Sequence, residues 1–127
     1  MPDRGKKLIL VADDDADVRE LVVFRLVRAG FEVITAGDGE EALKLALERR
    51  PDVCLVDVMM PELDGYELTE RLRGSEELAG VAILLLTASV EEAAVDRGFA
   101  AGADDYIKKP FSPAELVERV STVLERR

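Results

Sequence analysis

Five short apolar runs recur along the chain at 8–12, 32–36, 53–56, 82–86 and 105–107, and longer amphipathic stretches separate them. Two of the runs, VCLV and AILLL, lack the polar alternation of a strand with one face in water. Strands of that kind are buried on both sides, which requires a parallel sheet with helices above and below it. Helical patterns fall between and after the runs at 15–29, 39–49, 64–73, 91–101 and 113–126. In the first, Val18, Leu21, Val22, Leu26 and Ala29 share one face of a 3.6-residue period, and Gly30 ends the helix. Strict alternation of strand and helix predicts an α/β chain, a (βα)5 doubly wound sandwich of three layers.

With 127 residues, the chain has the length of one domain, 1–127. No linker or repeat interrupts it, and it ends directly after the fifth helical pattern, so no output domain is expected within it. It carries 27 acidic and 17 basic residues, a net charge of −10 that repels nucleic acid and anionic membranes. Direct nucleic-acid binding and membrane association are therefore not expected. The single cysteine, Cys54, lies in an apolar run and reads as a core residue. No signal peptide or membrane-length apolar stretch is seen, which points to the cytoplasm. The absence of histidine removes Ser-His-Asp and Cys-His chemistry and every histidine-based zinc site.

In an open parallel sheet, ligands bind beyond the carboxyl ends of the strands. Here those ends carry Asp13-Asp14-Asp15, Asp57, Thr87-Ala88-Ser89 and, shortly after the fifth run, Lys108-Lys109-Pro110. Crowded carboxylates repel and raise one another's pKa unless a cation neutralises them. Mg²⁺ suits such a place, because it takes a few carboxylates together with waters and phosphate oxygens. Capping of the first helix by Asp14 or Asp15 explains one of these acids but not an adjacent pair facing Asp57 across the sheet. Asp57 ends a buried strand, where it can act as a carboxylate nucleophile, and Lys109 can pair with it or with a phosphoryl group placed on it.

Four stretches in order, ILVADDD, LVDVMMPELDG, LLLTA and GADDYIKKPF, make the whole chain resemble the receiver domain of bacterial two-component response regulators. The resemblance implies a flavodoxin-like sandwich with strand order 2-1-3-4-5 and a switch that takes a phosphoryl group from a phosphohistidine donor. That donor would be a sensor histidine kinase or a histidine phosphotransfer protein, and the chain a stoichiometric acceptor rather than an enzyme. Asp57 would be the phosphoacceptor. Asp14, Asp57 and the Met59 carbonyl would contact Mg²⁺ directly, with Asp13 acting through water. Thr87 and Lys109 would hold phosphoryl oxygens, helped by the backbone N–H groups of Met60 and Ala88. Thr87 and Tyr106 would form the switch that alters the face of the last two helices and the fifth strand, and Lys109-Pro110 would be a cis peptide.

Two other classes compete. A phosphatase resembling the haloacid dehalogenase superfamily would use Asp13 as nucleophile in Asp13-x-Asp15, but Asp17 stands where that family has Thr or Val. It would also leave Asp57 without a task, and the chain has no insertion for a cap. A flavodoxin-like binding module would need a hydroxyl- and glycine-rich first loop, where this chain is triply acidic. A calcium loop over Asp13, Asp15 and Asp17 fails at Val18 and Phe24, where glycine and glutamate belong.

Three further expectations concern regulation. Val23 and Val27, one turn apart on the first helix, are expected to form an exposed apolar strip, and the resemblance implies that this helix meets the phosphodonor. The resemblance implies that Met59 and Ser89 flank the approach of water to Asp57, and neither is an effective base, so a long-lived phosphorylated state is expected. Asp105, Glu115 and Arg119 resemble parts of a charged dimer network. Val95 and Ala101 stand where that network needs charge, so the chain should be a monomer or a weak phosphorylation-dependent dimer.

Overall fold

The structure is a computed structural model that describes residues 5–126. Its strands are β1 (Leu8–Ala12), β2 (Glu32–Ala36), β3 (Val53–Asp57), β4 (Ala82–Thr87) and β5 (Asp105–Lys108). They alternate with helices α1 (Ala16–Arg28), α2 (Gly39–Arg49), α3 (Gly65–Arg73), α4 (Glu92–Ala101) and α5 (Pro113–Glu125). The strands form one parallel sheet, as the apolar runs predict, in the order β2-β1-β3-β4-β5 that the resemblance implies. The second helix pattern matches α2, and each of the other four exceeds its helix by one or two residues, because the outer positions are caps: Asp15 accepts from the N–H groups of Asp17 and Val18, and Ala29 closes α1 ahead of Gly30. A 3₁₀ turn at Glu76–Leu78 was not foreseen, since its polar residues carry no periodic signal.

Alternate residues of each central strand point into two separate cores. Leu10, Cys54, Val56, Ile83 and Leu85 pack under α2 and α3, while Ile9, Val11, Leu55, Leu84 and Leu86 pack under α1 and α5. Burial of β3 and β4 on both faces is complete, in keeping with their unbroken apolar runs. On α1 the buried stripe is narrower than its periodicity implies. Val22 and Leu26 are buried and Val18 is half-buried, whereas Leu21 and Ala29 are exposed. A helix lying on a flat sheet covers only the row nearest the sheet, and the flank that carries Leu21 and Ala29 turns outward.

The rim formed by the strand starts is stitched by side chains. Asp52 accepts from the Leu8 N–H at 2.8 Å. Arg73 donates to the carbonyls of Gly102 (2.8 Å) and Val81 (2.6 Å) and pairs with Asp104 at 2.7 Å, and the Asp104 carboxylate also accepts from the Ile83 N–H. No helix among the described residues is long and apolar enough to cross a membrane.

Candidate functional site

Strand register assembles the opposite rim. Ala12 pairs with Val56, so the residues that follow, Asp13 and Asp57, emerge side by side. Thr87 pairs with Lys108 on the other side of β4, and the Lys109 N–H donates to the Thr87 carbonyl at 2.7 Å. The Val58 N–H donates to the Leu86 carbonyl at 3.0 Å, keeping the chain in the sheet one residue past Asp57. Gly65, at the start of α3, lies so close to this segment that a Cβ there would meet the Asp57 carbonyl at 2.5 Å. Only a residue without a side chain lets α3 begin against the end of β3.

Asp13 and Asp57 are buried and Asp14 is exposed, and the three offer carboxylate oxygens within 4.8 Å of one another. Lys109 Nζ reaches Asp13 and Asp57 at 3.2 Å each, bridging the two buried acids. Asp13 also accepts from the Asp15 N–H at 3.0 Å. Burial pushes the Asp57 carboxyl above the usual carboxylate range and the Asp13 charge pushes it further, with Lys109 holding it back. For Lys109, burial favours the neutral amine, yet the two carboxylates outweigh it and raise the ammonium's pKa. Two close acids and one lysine leave negative charge over, so a divalent cation fits this donor set.

The other residues named from sequence are placed as follows. Met59 is the most exposed large apolar side chain among the described residues, at 75%, and its N–H lies 3.4 Å from an Asp57 oxygen, a long contact. Met60 is buried in the core and Ala88 is exposed. The Thr87 hydroxyl is occupied locally, donating to the Ser89 carbonyl and accepting from the Ser89 N–H, both at 3.1 Å. Ser89 Oγ accepts from the Glu91 N–H at 3.2 Å. Tyr106 is half-buried, edge-on to Phe99 with ring centroids 6.0 Å apart, beside a small cavity that Thr87, Tyr66 and Gly98 also line. The Lys109-Pro110 peptide is cis.

Val27 is exposed, but Val23 is half-buried, so the strip on α1 is smaller than expected. Phe24, flanked by the guanidinium groups of Arg25 and Arg28 at 5.5 and 5.6 Å, is the larger exposed apolar group there. Arg119 pairs within the chain with Asp105 at 3.1 Å and lies 3.9 Å from Glu115. Val95 is half-buried and Ala101 buried.

Sequence reasoning passed over Arg19, which donates to the Asp13 carbonyl at 2.7 Å. It also passed over Arg97, stacked on Tyr66 at 4.2 Å and 3.9 Å from Asp64. The available signal was position, since Arg19 lies one helical turn past the acidic loop.

Comparison with known proteins agrees with this geometry. Residues 9–121 match the response regulator receiver domain family. The chain is 48% identical over 120 residues to the alkaline phosphatase synthesis transcriptional regulatory protein PhoP of Bacillus subtilis, covering 94% of this chain and 49% of that protein. It thus spans about half the length of the curated relatives it matches. Among solved structures, the chemotaxis protein CheY4 of Vibrio cholerae superposes with a TM-score of 0.90 at 36% identity, covering 93% of this chain and 98% of that one. The receiver domain of sensor histidine kinase PA1611 from Pseudomonas aeruginosa, solved with a magnesium ion coordinated in its active site cleft, gives 0.88 at 31% identity, with coverage of 94% and 98%. Neither the phosphatase nor the flavin-binding alternative is favoured by these matches. The chain belongs to the response regulator receiver domain family, the phosphorylation-dependent switches of two-component signal transduction.

Proposed function

We propose that Asp57 is the phosphoacceptor and that residues 1–127 act as one receiver unit whose output lies elsewhere. The observation that carries this reading is the buried Asp57 carboxylate at the end of β3, within 3.2 Å of Lys109 and clustered with Asp13 and Asp14. A carboxylate oxygen of Asp57 attacks phosphorus while the bond to the donor atom breaks, and the leaving group takes the electron pair. Lys109, already held beside Asp57, then pairs with a phosphoryl oxygen. Thr87 exchanges its bond to the Ser89 carbonyl for one to a phosphoryl oxygen, with the N–H groups of Met60 and Ala88 as further donors. Drawing Thr87 toward Asp57 enlarges the cavity beside Tyr106, whose ring turns inward and alters the α4-β5-α5 face.

Asp14, Asp57 and the Met59 carbonyl would hold Mg²⁺, with Asp13 acting through water. When bound, the ion would supply charge neutralisation among the carboxylates and the incoming phosphate. The donor is a sensor histidine kinase or histidine phosphotransfer protein met in the cytoplasm, and the chain is consumed stoichiometrically rather than turning over as an enzyme. We expect a monomer or weak phosphorylation-dependent dimer, and a tight dimer by light scattering after beryllofluoride addition would contradict this. The decisive experiment is incubation with acetyl phosphate and Mg²⁺, followed by intact mass and site mapping. A gain of about 80 Da, one phosphoryl group, on Asp57 supports the proposal. Labelling at Asp13 with turnover of a phosphomonoester would support the phosphatase instead.

A further inference from the structure

The four polar attachments of Asp13 leave little freedom to its peptide. Its N–H donates to the Ala36 carbonyl at 3.2 Å, and its carboxylate accepts from the Asp15 N–H at 3.0 Å and from Lys109 at 3.2 Å. The fourth attachment is the carbonyl, which accepts from Arg19 Nη1 at 2.7 Å, a short bond from a charged donor. Asp14 contrasts with it. Its side chain is exposed, and no hydrogen bond or ion pair from the described residues holds the carboxylate. The direction in which it leaves the backbone is therefore set by the peptide that precedes it. Because a peptide unit is planar, holding the oxygen of Asp13 also holds the nitrogen and Cα of Asp14.

Arg19 is well placed to do this. Its own N–H donates to the Asp15 carbonyl at 2.9 Å, anchoring its backbone in the first turn of α1. Its guanidinium crosses from α1 toward the turn after β2, where a Cβ on Gly37 would lie 3.5 Å from Nη1. The Gly37 N–H donates to Glu41 at 2.7 Å, so this turn is itself held to α2. The guanidinium lies near this second turn, and half-burial limits competition from water for its bond to Asp13.

We propose that Arg19 is a positioning residue for the metal centre: by fixing the Asp13-Asp14 peptide, it aims the otherwise unsupported Asp14 carboxylate at the cation. The inference rests on the reading of Asp13, Asp14 and Asp57 as the Mg²⁺ site. Its sign distinguishes it from simple electrostatics. A guanidinium beside the site repels a divalent cation, so charge alone predicts tighter Mg²⁺ binding once Arg19 is removed. Positioning predicts the reverse.

The test is calorimetric titration of Mg²⁺ into the wild-type chain and Arg19→Met, which keeps the aliphatic stem without charge or donor, with thermal melts of both in EDTA. The expected result is a Kd for Mg²⁺ raised roughly tenfold, the loss that follows removal of a hydrogen bond from a charged donor, with the metal-free melting temperature nearly unchanged. An unchanged or lower Kd would overturn the inference while leaving the metal site standing. So would a large fall in the metal-free melting temperature that accounts for the weaker binding. If the wild-type chain binds no Mg²⁺ at all, the reading of the site fails and Arg19's role fails with it.

Discussion

We propose that Met59 and Ser89, each two residues past a group at the site, set how long a phosphoryl group stays on Asp57. Loss of the group needs a water in line with the bond to Asp57, and a polar side chain at the approach can orient that water or take its proton. Met59 is mostly in solvent and can do neither, and the Ser89 hydroxyl already accepts from the Glu91 N–H. Phospho-Asp57 should therefore persist for many minutes in Mg²⁺ buffer. The double substitution Met59→Asn and Ser89→Glu should speed its decay by roughly tenfold or more, followed by intact mass over time. Decay within seconds in the unsubstituted chain would sink this account. Cys54 offers a different test. Burial pushes its thiol up to about 12, only partly offset by the Arg73 charge. The raised value means that the unfolded chain loses the thiol proton first, so stability is full below the ordinary thiol pKa and falls as pH rises toward the folded value. The slope is about 1.4 kcal/mol per pH unit. Urea unfolding between pH 8 and 11 should show this steeper decline in the wild type than in Cys54→Ala.

At the scale of elements, the start of α3 and the end of β3 act as one unit. Gly65→Ala places a methyl against the Asp57 carbonyl and the Val58 Cα, neither of which can yield without shifting the acceptor. The expected cost is about 1–3 kcal/mol in urea unfolding, accompanied by slower labelling with acetyl phosphate. Full stability and full rate together would show that the contact relaxes freely. On α1, Val23→Lys should slow phosphotransfer from a protein donor and leave acetyl phosphate labelling unchanged, whereas equal effects on both would remove α1 as the docking helix. These elements were legible to different degrees. The strands stood out because burial on both faces demands unbroken apolar runs, and Asp57 was visible because it ends one of them. The 3₁₀ turn and the exposure of Leu21 were not, since they depend on which flank of a helix its neighbours leave open. Arg19 and Arg73 were hidden for another reason: Arg19 and most of the Arg73 fork bind backbone carbonyls, which look alike at every position in a sequence.

For the whole molecule, a net charge of −10 makes any focus of carboxylates costly, and the site concentrates three of them. Mg²⁺ at a hundredfold excess over its Kd should stabilise the chain by about 2.7 kcal/mol. Differential scanning calorimetry with Mg²⁺ and with EDTA checks this, and Asp14→Asn should shrink the difference. Melting curves indifferent to Mg²⁺ up to tens of millimolar would count against the site. The Arg73 fork has the opposite effect at the far rim. Because all five strands run the same way, every strand starts at the end where Arg73, Asp104 and Asp52 tie backbone groups together, and every strand finishes at the acidic end. Amide protons should then exchange with deuterium along a gradient, slowest near Ile83 and fastest near Ala88. Each strand is thus anchored by side chains at its start, so the chain can change its chemistry at the strand tips without loosening its base.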